Sequence, residues 1–477
     1  MNWDFSLANY NDVWGFLVQI GLLLLFLLLG NILRNIIPWF KKSLIPSALI
    51  GGGLLLLIDF ICKQFNVVLV DNRAMQIITY HSLGIGFAAM TLKTEKAKTK
   101  MKTSQVMEFG ALQGGTYMLQ AFVGLLITII LFLFTKTGKN VISYISGLLL
   151  PLAFGQGPGN ALTWDINFTN SVNAFFNGQG SVGLSLASIG FIVASLFGII
   201  YINYFKRKGL IKIRNASKSS EQSVTTYCDD NEIPDSESID KFSIQMGLVV
   251  LVYALSFGFM CLLGIISNFT NSIAWGFNFM WAAIFAMLVK TIIKNLKKNK
   301  TMKRTYINNY QMDRISGFFF DIMIVAGVTA IEINNIKNYI LPIIILTIVG
   351  ALITFVYIHK VSKHCFKGFE HETFLMAFGT LTGTASNGMI LMKEIDPNLI
   401  TPTSTIYVLS NFPAMVMIAP LLLLLPFASA SFTNACIACG IFFVLWLAYS
   451  IFIFRRKIFK KRYKNKPQDV WIEKENN

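Results

Sequence analysis

The sequence predicts an all-α integral membrane protein of about eleven transmembrane helices. It reads as two inverted five-span repeats, each with a re-entrant hairpin, plus one extra C-terminal helix. Three observations carry this. Only 14% of the 477 residues are charged, against about 25% in soluble domains. Apolar runs such as 15–29, 121–134, 247–266 and 439–454 approach or reach the ~20 residues that match the hydrocarbon thickness of a bilayer. Basic residues fall in alternate loops, as they do on the cytoplasmic side of a membrane.

In chain order, the first repeat (1–204) holds spans 13–36, 44–62, 75–92, 107–134 and 182–204. The stretch before the first span has Asp4 and Asp12 but no Lys or Arg. It lacks the basic region of a cleaved signal peptide, so the first helix is expected to stay. Region 205–241 is hydrophilic, basic and then acidic, and reads as a flexible cytoplasmic linker. Glycosylation at Asn215 is not expected on that face. The second repeat (242–427) holds spans 243–266, 274–293, 315–331, 339–357 and 406–427. Region 428–477 adds the span 432–454 and a basic tail.

Two further apolar segments, 142–163 and 372–392, are broken by glycines and small polar residues. With the N-terminus outside and neither segment crossing, 35 of the 41 Lys and Arg residues fall in cytoplasmic loops. The other six are Lys63, Arg73, Lys136, Lys139, Lys337 and Lys393. A full crossing by either segment would swap every later loop and erase the asymmetry, so both are read as re-entrant. Five spans is an odd number, so the second copy starts from the opposite side. The copies also share Ala153-Phe154-Gly155 and Ala377-Phe378-Gly379 at the same position. The net charge of +17 is accounted for by cytoplasmic loops and calls for no nucleic-acid partner. The expected location is the cell membrane, with the C-terminus in the cytoplasm.

Irregular backbone at membrane depth survives only where protein or an aqueous cavity surrounds it. Hairpin tips there expose half-helix termini, whose amides hold anions and whose carbonyls hold Na⁺. The candidate substrate-binding residues are Gln156, Gly157, Gly159, Asn160 and Thr163 in the first tip. Thr382, Gly383, Thr384, Ser386 and Asn387 are their counterparts in the second. Candidate ion ligands are Gly155, Gly379, Thr380, Asn411 beside Pro413, and Asp321, an acid in mid-span. Charges in spans are costly and commonly functional. Asp165 and Glu372, at re-entrant ends, are expected in solvent, and His81 is read as a satisfied interface histidine. The pair Cys436 and Cys439 lies in an apolar run with no activating group nearby, which reads as structural.

No nucleotide-binding, metalloprotease or hydrolase motif is present, so the chain reads as a carrier driven by an ion gradient and not as an enzyme. Two other classes use parts of the same plan. A channel also uses re-entrant loops. A membrane-embedded transferase would draw on His359, His364 and His371 with Glu370 and Glu372, in a basic loop.

Several segments together resemble the bacterial sodium/glutamate symporter family. They are Lys41-Lys42-Ser43-Leu44-Ile45-Pro46 with Gly51-Gly52-Gly53, Leu83-Gly84-Ile85-Gly86, both hairpins, and 183–201. The resemblance spans most of 14–427. It implies two inverted five-span halves, Na⁺ as coupling ion with no other cofactor, and uptake of glutamate. A related small carboxylate-bearing amino acid or another organic anion is the alternative cargo. The layout is also similar to elevator-type carriers that work as homodimers. The first hairpin departs from the family's Gly-Gly-His-Gly-Thr-Gly pattern, reading Phe154-Gly155-Gln156-Gly157-Pro158-Gly159. The second is less glycine-rich, and Asp321 stands where the family more often has a small polar residue.

Overall fold

The computed structural model of the protein describes residues 10–93, 102–135, 142–171, 176–211, 240–299, 306–397 and 399–458. Most of the 205–241 linker and of the basic tail therefore lies outside the described residues. Among them every regular element is helical, and no strand occurs. The helices are α1 (Tyr10–Ile36), α2 (Pro38–Lys42), α3 (Ser47–Gln64), α4 (Asn72–Leu92), α5 (Thr103–Thr135), α6 (Leu149–Gln156), α7 (Pro158–Thr169) and α8 (Ser181–Arg207). After the linker follow α9 (Lys241–Ile266), α10 (Asn268–Gly276), α11 (Asn278–Lys298), α12 (Asn309–Thr329) and α13 (Ile333–Ile336). The last are α14 (Ile340–Cys365), α15 (Glu370–Thr382), α16 (Ala385–Lys393), α17 (Thr403–Ala430) and α18 (Phe432–Ile458).

Each of the eleven predicted spans is a helix. Nine helical stretches among the described residues are long and apolar enough to cross a membrane. The two predicted spans outside that set are α4 and α12. At 21 residues each, about 31 Å at 1.5 Å per residue, they have the length but not the composition. The cause is their position: they pack along each other, burying Thr79, Ser82 and Ser316. A helix shielded from lipid on its main face needs fewer apolar residues.

Side chains fix where these helices begin. The Asp71 carboxylate accepts from the backbone N–H groups of Arg73 and Ala74 at 2.8 and 3.2 Å. Asp240 does the same for Ser243 at 3.0 Å, and Asn308 for Gln311 at 2.9 Å. Each satisfies a first-turn donor that the helix itself leaves unpaired.

The packing is paired across the repeats. α1 lies on α3 as α9 lies on α11, and α3 crosses α12 as α11 crosses α4. These exchanges are what a two-fold relation between the copies produces. The apolar core divides accordingly. One large cluster is built mainly from α5–α8 and α14–α18, while two smaller ones draw mainly on α1, α3, α4, α9, α11 and α12.

The extra helix α18 belongs to the first of these bodies, lying along α5 and α17. Tyr449 Oη donates to the Met417 carbonyl at 2.9 Å, and Arg455 meets Glu108 of α5 at 2.7 Å. Glu108 is buried, with 4% of its surface exposed. Breaking a buried ion pair from one side costs about 3–5 kcal/mol, whereas replacing both partners by apolar groups is close to neutral. Arg455→Ala is therefore expected to lower the unfolding temperature in detergent, and the double change Glu108→Leu with Arg455→Met to recover most of it. Equal melting of the single variant and the parent would contradict this.

The cysteine reading agrees with the packing: Cys439 is buried with its thiol on the Phe122 carbonyl, and Cys436 is exposed. His81 accordingly pairs with the Tyr253 hydroxyl at 2.9 Å.

Candidate functional site

The first broken segment enters and leaves at one end of the molecule, the end predicted to be outside. At its start, the Thr128 hydroxyl donates to the Tyr144 carbonyl at 2.7 Å, and the Tyr144 ring meets Phe432. At its finish, the Ser171 hydroxyl donates to the Ser429 carbonyl at 3.1 Å. Between these points α6 descends until Gly155 lies against Tyr117. The helix then breaks at Gly157, whose φ of +82° suits glycine and few other residues. Pro158 restarts it as α7, in the first-turn position where the missing N–H costs nothing.

The second segment mirrors this from the opposite end, and α8 serves as a ruler. Phe374 of α15 stacks on Tyr201 at 3.9 Å. The Thr382 carbonyl then reaches Gly190, and Leu391 of α16 returns to Gly198. The excursion from 201 to 190 is about 16 Å along a helix, roughly half the ~30 Å hydrocarbon core. The two legs cross closely at Gly379 and Gly388. A Cβ on Gly388 would stand 2.3 Å from the Met376 carbonyl oxygen.

The two tips meet. A Cβ on Gly157 would be 3.5 Å from Thr384 Cγ2 and 3.8 Å from Met323 Cε of α12. Gly190 touches both sides, facing the Thr382 carbonyl and the Phe154 ring. Gln156 lies against the Tyr117 hydroxyl, and Thr380 against that of Tyr407.

Hydrogen bonding sorts the predicted residues into two groups. The hydroxyls of Thr163, Thr380 and Thr382 donate to the carbonyls of Gly159, Met376 and Phe378 in their own helices, which is back-bonding and not ligand capture. At the tips themselves, polar atoms are left over. Asn160 is fully buried; its Nδ2 donates to Gln156 Oε1 at 2.7 Å, while its Oδ1 has no partner. Thr384 Oγ1 and Asn387 Nδ2 are likewise buried without partners. Buried polar atoms are normally satisfied; these three stand within one helical turn of Gly157 or Thr384, where the tips meet. Ser386 is exposed beside them. Gly159 serves packing, since a Cβ there would meet Leu83 at 2.8 Å, and Gly383 sits over the Asn387 amide. Asn411 is half-buried on α17, one turn beyond Tyr407.

The segments 149–169 and 376–392 carry one charge between them, Asp165. The meeting point is thus formally neutral. It offers two helix N-termini, those of α7 and α16, and two C-termini, those of α6 and α15. Opposite partial charges of about half a unit lie side by side, an arrangement that accommodates a carboxylate and a cation together.

Asp321 stands two residues before Met323 on α12, hence about 200° around the helix from it; it is exposed, and no hydrogen bond or ion pair ties it to the tips among the described residues. Two expectations are corrected. Asp165 is not in solvent but fully buried, accepting from the backbone N–H groups of Gly180 and Gly183 at 2.6 and 2.7 Å. Glu372 is also buried. Sequence reasoning missed Tyr117, Tyr407, Met323 and Gly190. The first had a readable signal, because Gln113, Thr116 and Gln120 mark the same apolar run as polar-faced.

The histidines of the transferase alternative are distributed among aromatic contacts. His371 pairs with the Tyr201 hydroxyl at 2.9 Å, His359 lies beside the same ring, and His364 packs on Phe454. No family model matches the chain, and no curated protein matches it.

Proposed function

We propose that the chain is a secondary transporter of the sodium/glutamate symporter type. On this reading it spans the cell membrane eleven times and carries a small carboxylate-bearing amino acid, glutamate by resemblance, coupled to Na⁺. The observation that supports it best is the junction of two broken-helix tips from opposite ends, with Asn160 Oδ1, Thr384 Oγ1 and Asn387 Nδ2 unpartnered inside it. Substrate carboxylates are held by the first amides of α7 and α16 and by Asn387. An amino group or Na⁺ is held by Asn160 Oδ1 and the last carbonyls of α6 and α15. The site needs no fixed cation, because helix N-termini supply the positive potential.

Labelled glutamate uptake into proteoliposomes, with and without an inward Na⁺ gradient, tests the reading. Accumulation that requires the gradient supports it; equal flux without Na⁺ removes the coupling. Asn160→Ala and Asn387→Ala are each expected to reduce uptake about tenfold at unchanged protein level, the effect of losing one good hydrogen bond of roughly 1.4 kcal/mol. Cysteine at position 387 is expected to be reactive from both membrane faces and shielded by substrate; a channel gives no accumulation.

A further inference from the structure

Adjacent residues on α7 hold the two bodies of the molecule. Asp165 grips the start of α8, as described. Trp164, 1% exposed, reaches the other way into the joint between α10 and α11. Its ring lies 5.0 Å from that of Phe277, which is fully buried at the joint, and it leaves 2.8 Å for a Cβ on Gly276. The joint is clamped to α4, since the Tyr80 hydroxyl donates to the Trp275 carbonyl and Asn278 Nδ2 to that of Tyr80, both at 2.9 Å. α10 also rests on α17. This short helix, opened by a capping box of Ser267 and Thr270, therefore plugs the predicted outer end above the first hairpin.

At the opposite end the contact among the described residues is lighter. The corresponding short helix α2 packs on α1, and after it Leu44, only half-buried, lies against the large cluster with its carbonyl accepting from the Ser195 hydroxyl at 3.3 Å. Ser386 of the second tip is exposed while Asn160 of the first is buried. The outer contact also carries a built-in weakness: the Trp164 indole N–H is buried with no acceptor. A closed contact with an unmade hydrogen bond is one that water or motion can release.

We propose that Trp164 and Phe277 are the outer gate of the translocation route, closed here while the tips face the other side. Because Asp165 ties α7 to α8, movement of the hairpin body away from α10 withdraws Trp164 and opens the way to Asn160. The proposal rests on the transport reading.

The test uses full-length protein in right-side-out vesicles, with Thr163→Cys as reporter and a membrane-impermeant maleimide as probe, corrected for labelling of the protein without the reporter. Phe277→Ala is expected to raise the rate of outside labelling about tenfold, and Phe277→Trp to keep the parent's rate. A merely structural role would alter yield or melting temperature without changing sidedness. Unchanged outside labelling in Phe277→Ala, with Na⁺-driven uptake intact in the parent, overturns the gate and spares the transport reading. Absence of uptake in the parent, with substrate failing to protect Asn387→Cys, instead overturns the transport reading and with it the gate.

Discussion

Alanine in place of Asp165 is expected to be among the most destabilising single changes in the hairpins. Its carboxylate is fully buried and takes the N–H of Gly180 on Oδ1 and that of Gly183 on Oδ2. These donors open a 27-residue helix, where unpaired amides and the helix dipole both favour a negative charge. The chain is bent for the purpose: Gln179 and Gly180 have φ of +49° and +90°, turning the amides of α8 toward α7. The Thr169 hydroxyl steadies the bend by accepting from Gln179 N at 3.1 Å. A hydrogen bond to a charged group contributes about 1.5–3 kcal/mol, and stranding its partner adds to the loss. Asp165→Ala should thus cost about 3–5 kcal/mol, read as a large drop in the melting temperature of the purified protein. Asp165→Asn keeps one acceptor and should fall between. Parent-like melting of the alanine variant would show that α7 is held by its apolar contacts alone.

That same residue shows where sequence reasoning stops. Asp165 was legible as an acid near the end of a broken segment, a place where solvent is the usual surrounding. Its partners lie 15 and 18 residues downstream, beyond any local pattern. The one hint was Gly178-Gln179-Gly180-Ser181, a turn followed by a helix start. The fold was far more readable, because hydrocarbon thickness and the cytoplasmic charge bias act on composition, which a single sequence records directly. Both hairpins also follow from that bias. Asp321 was legible by its depth in the membrane, but whether it joins a site depends on the angle around a helix. Which face of α12 looks toward Gly157 is not recorded in any local pattern of residues. Glycines and small polar groups mark a chain reversal wherever it faces, and the two helix breaks fall among them, at Gly157 and at Gly383 and Thr384.

Gly190→Leu is expected to abolish uptake, and Gly190→Ala to reduce it at least about tenfold, with no loss in the helicity of α8. Two effects of opposite sign compete here. Alanine in a helix interior is favoured over glycine by about 1 kcal/mol, so α8 by itself gains. Against that, the new Cβ would stand 2.5 Å from the Thr382 carbonyl oxygen and 3.1 Å from the Phe154 ring. Overpacking of this kind costs about 1–3 kcal/mol and is relieved by displacement. Because the two obstructing groups belong to different hairpins, relief means moving one tip away from the other. Gly157 then parts from Thr384, and the unpartnered atoms of Asn160 and Asn387 no longer face a common ligand. Gly53→Ala, in a helix with no atom near the added carbon, separates the contributions: it gains the helix preference without the clash and should transport like the parent. If Gly190→Ala also transports like the parent at equal protein level, contact between the tips is not what forms the site.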